Sequence, residues 1–142
     1  MKFALCNEVF QEMSIKDGFS KIAEIGYQGV EIAPFTLKDN PLEINEEDAE
    51  HCLEAAKSVG IEIVGLHWLM AKSVGLHLNS SDQGMRDATC QYLQKLAKLT
   101  GQMGGSIMVL GSPQQRTLEQ GPLYEDPFSR AVEIIREVSE HA

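Results

Sequence analysis

Three side chains in this sequence combine reactive chemistry with a position that could present it. His67 follows the apolar run Ile63-Val-Gly-Leu66 and precedes Trp68, the one tryptophan of the chain. A histidine at a strand terminus can ligate a metal, exchange a proton or hydrogen-bond a sugar hydroxyl; the alternative is a buried imidazole bonded to a backbone carbonyl. Glu31 lies between Val30 and Ile32, where a buried carboxylate is costly unless paired. Period-two alternation puts it on the face opposite its neighbours, which in a barrel is the lumen. A functional role and a place in a structural polar network are both open to it. Trp68 offers a flat apolar wall for a sugar ring, or simply a core or cavity-lining side chain. Arg116, with Gln114 and Gln115, sits in a later loop, where its guanidinium fork could meet an anionic group or remain an exposed polar residue.

Other candidates read more plainly. His77 in the loop Gly75-Leu-His-Leu-Asn79, His51 in an acidic helix and His141 near the end are expected at the surface. No HExxH is present, and no Cys/His cluster has zinc spacing. The glycines of Gly101-Gln-Met-Gly104-Gly105 precede their strand, whereas dinucleotide-binding glycines follow theirs.

These residues must be held by a repeating scaffold. The runs Ala23–Ile32, Ala56–Val64 and Ala97–Leu110 each join an amphipathic stretch to a short apolar strand through a glycine: Gly26, Gly60 and Gly101. A glycine past a helix takes the left-handed conformation that ends it, and a buried Val/Ile/Leu run afterwards reads as a parallel strand. The spacing predicts strands at Lys2–Cys6, Val30–Ile32, Glu62–Leu66 and Ser106–Leu110. Helices are predicted at Ile15–Ile25 (capped by Ser14), from Asn45 to Gly60, and at Gln83–Thr100, with a fourth opening at Asp126-Pro127. Strand-to-helix connections are longer than helix-to-strand ones, which puts the chemistry at the carboxyl ends of the strands.

The 142 residues suit a single unit with a core, and 43% hydrophobic and 23% charged residues are ordinary for a globular chain. A net charge of -9 argues against a nucleic-acid partner. No apolar run could span a bilayer and no signal peptide is visible, so no membrane association is expected. Cys6, Cys52 and Cys90 are scattered and odd in number, which fits reduced packing thiols and a cytoplasmic location.

Taken together, Gly26-Tyr-Gln-Gly-Val-Glu-Ile32, Gly65-Leu-His-Trp68, Gly75-Leu-His-Leu-Asn79 and Val109-Leu-Gly-Ser-Pro113 resemble the sugar phosphate isomerase/epimerase family of xylose isomerase-like TIM barrels, over the whole chain and in order. The resemblance implies eight βα units, of which residues 1–142 supply four: a parallel (β/α)4 half of a TIM barrel, α/β in class, stopping within its fourth helix at Ala142. It implies an isomerase or epimerase acting on a small sugar or sugar phosphate, by metal-assisted proton transfer next to a carbonyl. The divalent metal (Mn, Mg, Co or Zn) would be held by Glu, Asp and His residues of later strands, so none is expected in this chain, which alone is expected to be inactive. Glu31 and His67 match family positions lining the substrate side, with Trp68 beside them, and Arg116 joins them as a substrate-binding candidate. The endonuclease branch would need a histidine after the fourth strand, where Gly111-Ser112-Pro113 stands. Two other readings compete: a non-catalytic half-barrel that binds a ligand or self-associates as a homodimer through open sheet edges, and a flavodoxin-like sheet complete in itself.

Overall fold

The computed structural model describes residues 1–118 and 125–140. Four strands alternate with four helices: β1 Ala4–Cys6, α1 Ile15–Ile25, β2 Gly29–Ile32, α2 Glu46–Val59, β3 Glu62–His67, α3 Gln83–Gln102, β4 Ile107–Val109 and α4 Glu125–Ser139. Three helix starts are built by their capping residues. Ser14 Oγ accepts the Asp17 N–H, and Asp82 Oδ1 accepts that of Met85. Asn45 and Asp48 form a reciprocal capping box. Each such cap stabilises its helix by about 1 kcal/mol.

Gly26 and Gly60 end α1 and α2 in the left-handed conformation, at φ 102° and 73°. The third joint differs from expectation. Gly101 stays helical, α3 runs on to Gln102, and the left-handed residue is Gly104 at φ 83°. Leu99 and Thr100 before the extension and Met103 after it are buried, so packing of the last turn overrides the first available glycine. Asp126 likewise falls inside the first turn of α4 rather than capping it. His141, expected at the surface, and Ala142 lie outside the described residues.

The sheet is parallel throughout, in the order β1-β2-β3-β4. Crossovers between parallel neighbours follow a right-handed rule, which puts successive helices on one face. Accordingly α1 contacts α2, α2 contacts α3 and α3 contacts α4. A flavodoxin-like sheet needs a reversal of strand order, which is absent here, so the half-barrel is the fold. The core lies between sheet and helices, with Val30, Ile32 and Leu66 meeting Phe19, Ile22 and Leu96. Full burial of each such side chain stabilises by about 1.5–3 kcal/mol.

The opposite face is the lumen side, and its phase along β3 is set by an irregularity. Val30 pairs with Ile63, but Glu31 pairs with Gly65, so Val64 is an extra residue in β3. An added residue in a period-two strand moves everything beyond it to the other face. Leu66 therefore joins Ile32 in the core, and His67 comes to the face that carries Glu31. Gly65 also admits the next strand: a Cβ there would lie 1.8 Å from the Ile107 carbonyl oxygen.

Gly65→Ala must push β4 away from β3. We expect a loss of about 3 kcal/mol in urea unfolding, the scale of an overpacked core; a loss below about 0.5 kcal/mol would contradict the close approach. A second expectation concerns alkaline pH. Burial, aided by the Asp48 carboxylate, pushes the Cys52 thiol from 9.0 up to about 12, and burial pushes Cys90 up to about 11. The folded state thus holds protons that the unfolded chain releases. This stabilisation is complete below pH 9.0 and is lost as pH rises through about 11 to 12. Urea midpoints should fall across that window, by less in Cys52→Ala than in the unsubstituted protein.

Candidate functional site

Glu31 and His67 meet on the lumen face at the carboxyl ends of β2 and β3. His67 Nδ1 lies 3.2 Å from Glu31 Oε2, with each side chain 28% exposed. The separation is that of an ion pair, but the ring N–H is not aimed at the oxygen, and Nδ1 is buried without a hydrogen bond. A carboxylate beside Nδ1 favours the proton on that nitrogen, which leaves Nε2 as an acceptor; a doubly protonated ring would donate from both nitrogens. Either form can hold a hydroxyl.

Nε2 faces Gly111. A Cβ at that position would lie 3.6 Å from Nε2 and 3.7 Å from the Trp68 indole, in ordinary contact with both rings. The ring centroids of His67 and Trp68 are 5.7 Å apart and their planes are tilted by 55°. Cys6 pairs with Glu31 across β1 and β2. Burial pushes its thiol up to about 11, with the Glu8 and Glu31 carboxylates adding to the rise and a backbone hydrogen bond at Glu8 opposing it. It is a neutral thiol at physiological pH, not a nucleophile.

The loops around this pair are joined by buried polar side chains. Asn7 Oδ1 accepts the Ala33 N–H at 2.9 Å, and its Nδ2 donates to Thr36 Oγ1 at 2.7 Å. Ser112 Oγ accepts the Met70 N–H at 2.9 Å, and the Tyr92 hydroxyl donates to the Leu69 carbonyl at 3.0 Å. Thr89 Oγ1 accepts the His77 N–H at 2.9 Å. Lys72 reaches over the Phe35 ring, 4.3 Å from its centroid. The sequence places Asn7, Phe35 and Ser112 at the carboxyl ends of the strands, but singles out none of these partners as a site residue. The available signal was weak: Asn7 and Ser112 lie just past strands, where small polar residues are common.

Of the four candidate substrate-binding residues, Glu31, His67 and Trp68 come together. Arg116 ends a short 3-10 turn, Pro113–Arg116, and is exposed, with its carbonyl accepting from Asn79 Nδ2. His51 is exposed as expected. His77 is half-buried rather than a surface residue; its Nε2 lies 3.4 Å from Thr117 Oγ1 while Nδ1 is buried without a partner. The β4 loop folds back over it, with the Leu78 N–H donating to the Gln115 carbonyl. Cys52 and Cys90 are buried and Cys6 half-buried, all three as free thiols. Among the described residues, no three His, Cys, Asp or Glu side chains converge to hold a metal, so these residues do not fit the family's divalent ion. Among them, too, no helix is long and apolar enough to cross a membrane.

Comparison with solved structures returns the same architecture. The 3-keto-D-glucoside 4-epimerase YcjR from E. coli superposes over 100% of this chain and 52% of its own, with a TM-score of 0.72 at 15% identity. A D-psicose 3-epimerase from Clostridium cellulolyticum H10, solved with D-tagatose, gives 0.72 at 20% identity over 99% of this chain and 48% of its own. A D-allulose 3-epimerase from Methylomonas sp. gives 0.69 at 16% identity over 100% and 48%. The chain thus spans about half the length of these neighbours, and at such identities the likeness is one of fold. No curated protein matches the chain significantly. The family profile described as xylose isomerase-like TIM barrel matches residues 19–142. Through that match, and through four sequential parallel βα units, the chain belongs to the xylose isomerase-like TIM barrel family.

Proposed function

We propose that residues 1–142 form the first-half wall of the sugar pocket of an isomerase or epimerase. The observation that carries this reading is the Glu31–His67 pair, 3.2 Å apart on the lumen face at the carboxyl ends of two adjacent strands. That end of a barrel is where its loops build active sites. In such a pocket the imidazole and carboxylate hold sugar hydroxyls, and the Trp68 indole lies against the ring's apolar face. Arg116, at the rim, meets a phosphate if the substrate carries one. The reaction is proton transfer next to a carbonyl. The family's divalent ion would be held by residues other than those described, and Glu31, His67, Trp68 and Arg116 serve in binding alone. The fold neighbours are epimerases of sugars, which supports the substrate class.

Titration with D-fructose or D-psicose, followed by NMR of the histidine and tryptophan ring protons, tests this reading. Saturable shifts at His67 and Trp68 are expected. His67→Ala should weaken binding about tenfold, or about 1.4 kcal/mol, while sparing any divalent-metal affinity. Equal loss of both would reassign His67 as a metal ligand, and no shift at millimolar sugar would overturn the pocket.

A second reading, barrel closure by a second copy, is favoured by the exposed lumen face and α4 flank. Ile107 is 47% exposed, as are Phe128 and Ile135 to similar degrees. Two copies related by a two-fold axis would pair β4 of one with β1 of the other, in parallel. Sedimentation should then give about twice 15.7 kDa at micromolar concentration, and a monomeric mass would exclude it.

A further inference from the structure

The chain leaves β3 through a backbone conformation that an aromatic residue rarely adopts. Trp68 has φ 57°, in the left-handed region, where its Cβ crowds the following carbonyl. For a bulky residue this is a true outlier, and it persists only where the surroundings over-determine it. Here the turn sends Leu69 and Met70 into the core, where both are buried, and leaves the Trp68 indole half-exposed beside His67.

Two side chains from outside the loop hold the turn. Ser112, only 1% exposed, takes the Met70 N–H on its Oγ at 2.9 Å. Tyr92, buried on α3, donates its hydroxyl to the Leu69 carbonyl at 3.0 Å. Within the turn, the Ala71 N–H closes onto the Trp68 carbonyl at 3.0 Å, which adds a third hydrogen bond to this arrangement. The two hydroxyls approach from different elements: Tyr92 from α3, and Ser112 from the β4 loop, next to the Gly111 that adjoins both rings. The turn and the two rings are therefore one unit.

We propose that Ser112 and Tyr92 are positioning residues. Their hydroxyls clamp residues 69–70, hold Trp68 left-handed, and so fix the indole beside the His67 ring. The role of that placement toward a sugar rests on the sugar-pocket reading above; the clamp itself does not.

Trp68 is the sole tryptophan, so its fluorescence reports the clamp directly. Ser112→Ala and Tyr92→Phe should each red-shift the emission and raise the acrylamide quenching constant, with far-UV circular dichroism unchanged. Thr100→Val is the control. It removes a buried hydroxyl bonded to the Leu96 carbonyl inside α3, at the opposite end of the sheet, and should leave Trp68 fluorescence as it is. If Ser112→Ala fails to fold, Tyr92→Phe, which removes a single oxygen, carries the test. Unchanged quenching in the folded clamp variants overturns the proposal, as does an equal rise in the control. Adding D-fructose to the same samples separates the two ideas. A saturable emission change in the unsubstituted protein, weakened in Ser112→Ala, supports both. No change with sugar while the clamp variants still behave as expected overturns the sugar pocket and leaves the clamp standing.

Discussion

The extra residue in β3 is the constraint on which the site depends. Outside a bulge strand side chains alternate faces, so the face on which His67 emerges depends on how many residues separate it from the last one in register. With Val64 unpaired, Gly65 faces Glu31 and Leu66 faces Ile32, and the imidazole arrives on the carboxylate's side of the sheet. In a regular ladder the imidazole would point among the helices and Leu66 into the lumen, an exchange costly at both places. Gly65 serves the neighbouring strand as well, since the β4 backbone occupies the volume its side chain would need. Gly105, just before β4, is constrained by the same approach: its own Cβ would lie 3.0 Å from the Gly65 Cα. The extra residue thus sets the phase of the site, and the two glycines allow the seating of the last strand.

The scaffold was legible in the sequence because its signals are local. Ser14, Asn45, Gly26 and Gly60 each act on the turn in which they sit, and all four hold the roles their types suggest. Gly101 was misleading because a helix end is settled by competition, and buried contacts at Leu99 and Met103 outweigh a glycine's preference. Glu31, His67 and Trp68 stood out because their chemistry conflicts with, or stands at the edge of, an apolar strand. Their proximity followed only from the family resemblance, because it depends on a bulge that no residue type announces. Nor could the sequence show Asn7, Ser112, Tyr92 and Thr89 as organisers of the rim, since each bonds to backbone far away in the chain. His77 looked like a surface residue for the same reason: the loop that covers it comes from beyond β4.

The rim is built by a different kind of force from the core. Behind the sheet, non-directional apolar burial suffices, and residues of similar volume would serve nearly as well. In front of it, single hydroxyl and amide groups tie each loop to the next: β1 to β2 through Asn7, and β3 to β4 through Ser112. Such bonds are worth little individually but are costly to leave unmade once buried. They give the loops definite positions where apolar contacts are few. Glu31 and His67 therefore stand on strands, while the surfaces around them are held by hydrogen bonds of defined geometry.

Every strand in this sheet pairs with the strand before it in sequence, and every helix lies against its predecessor. No partner has to be awaited from a distant part of the chain, so the loop-closure entropy at each step is that of one connection only. Assembly can then follow synthesis, each βα unit docking on the one already formed as it leaves the ribosome. The Glu31–His67 pair would be in place as soon as β3 docks, before β4 or anything after it exists.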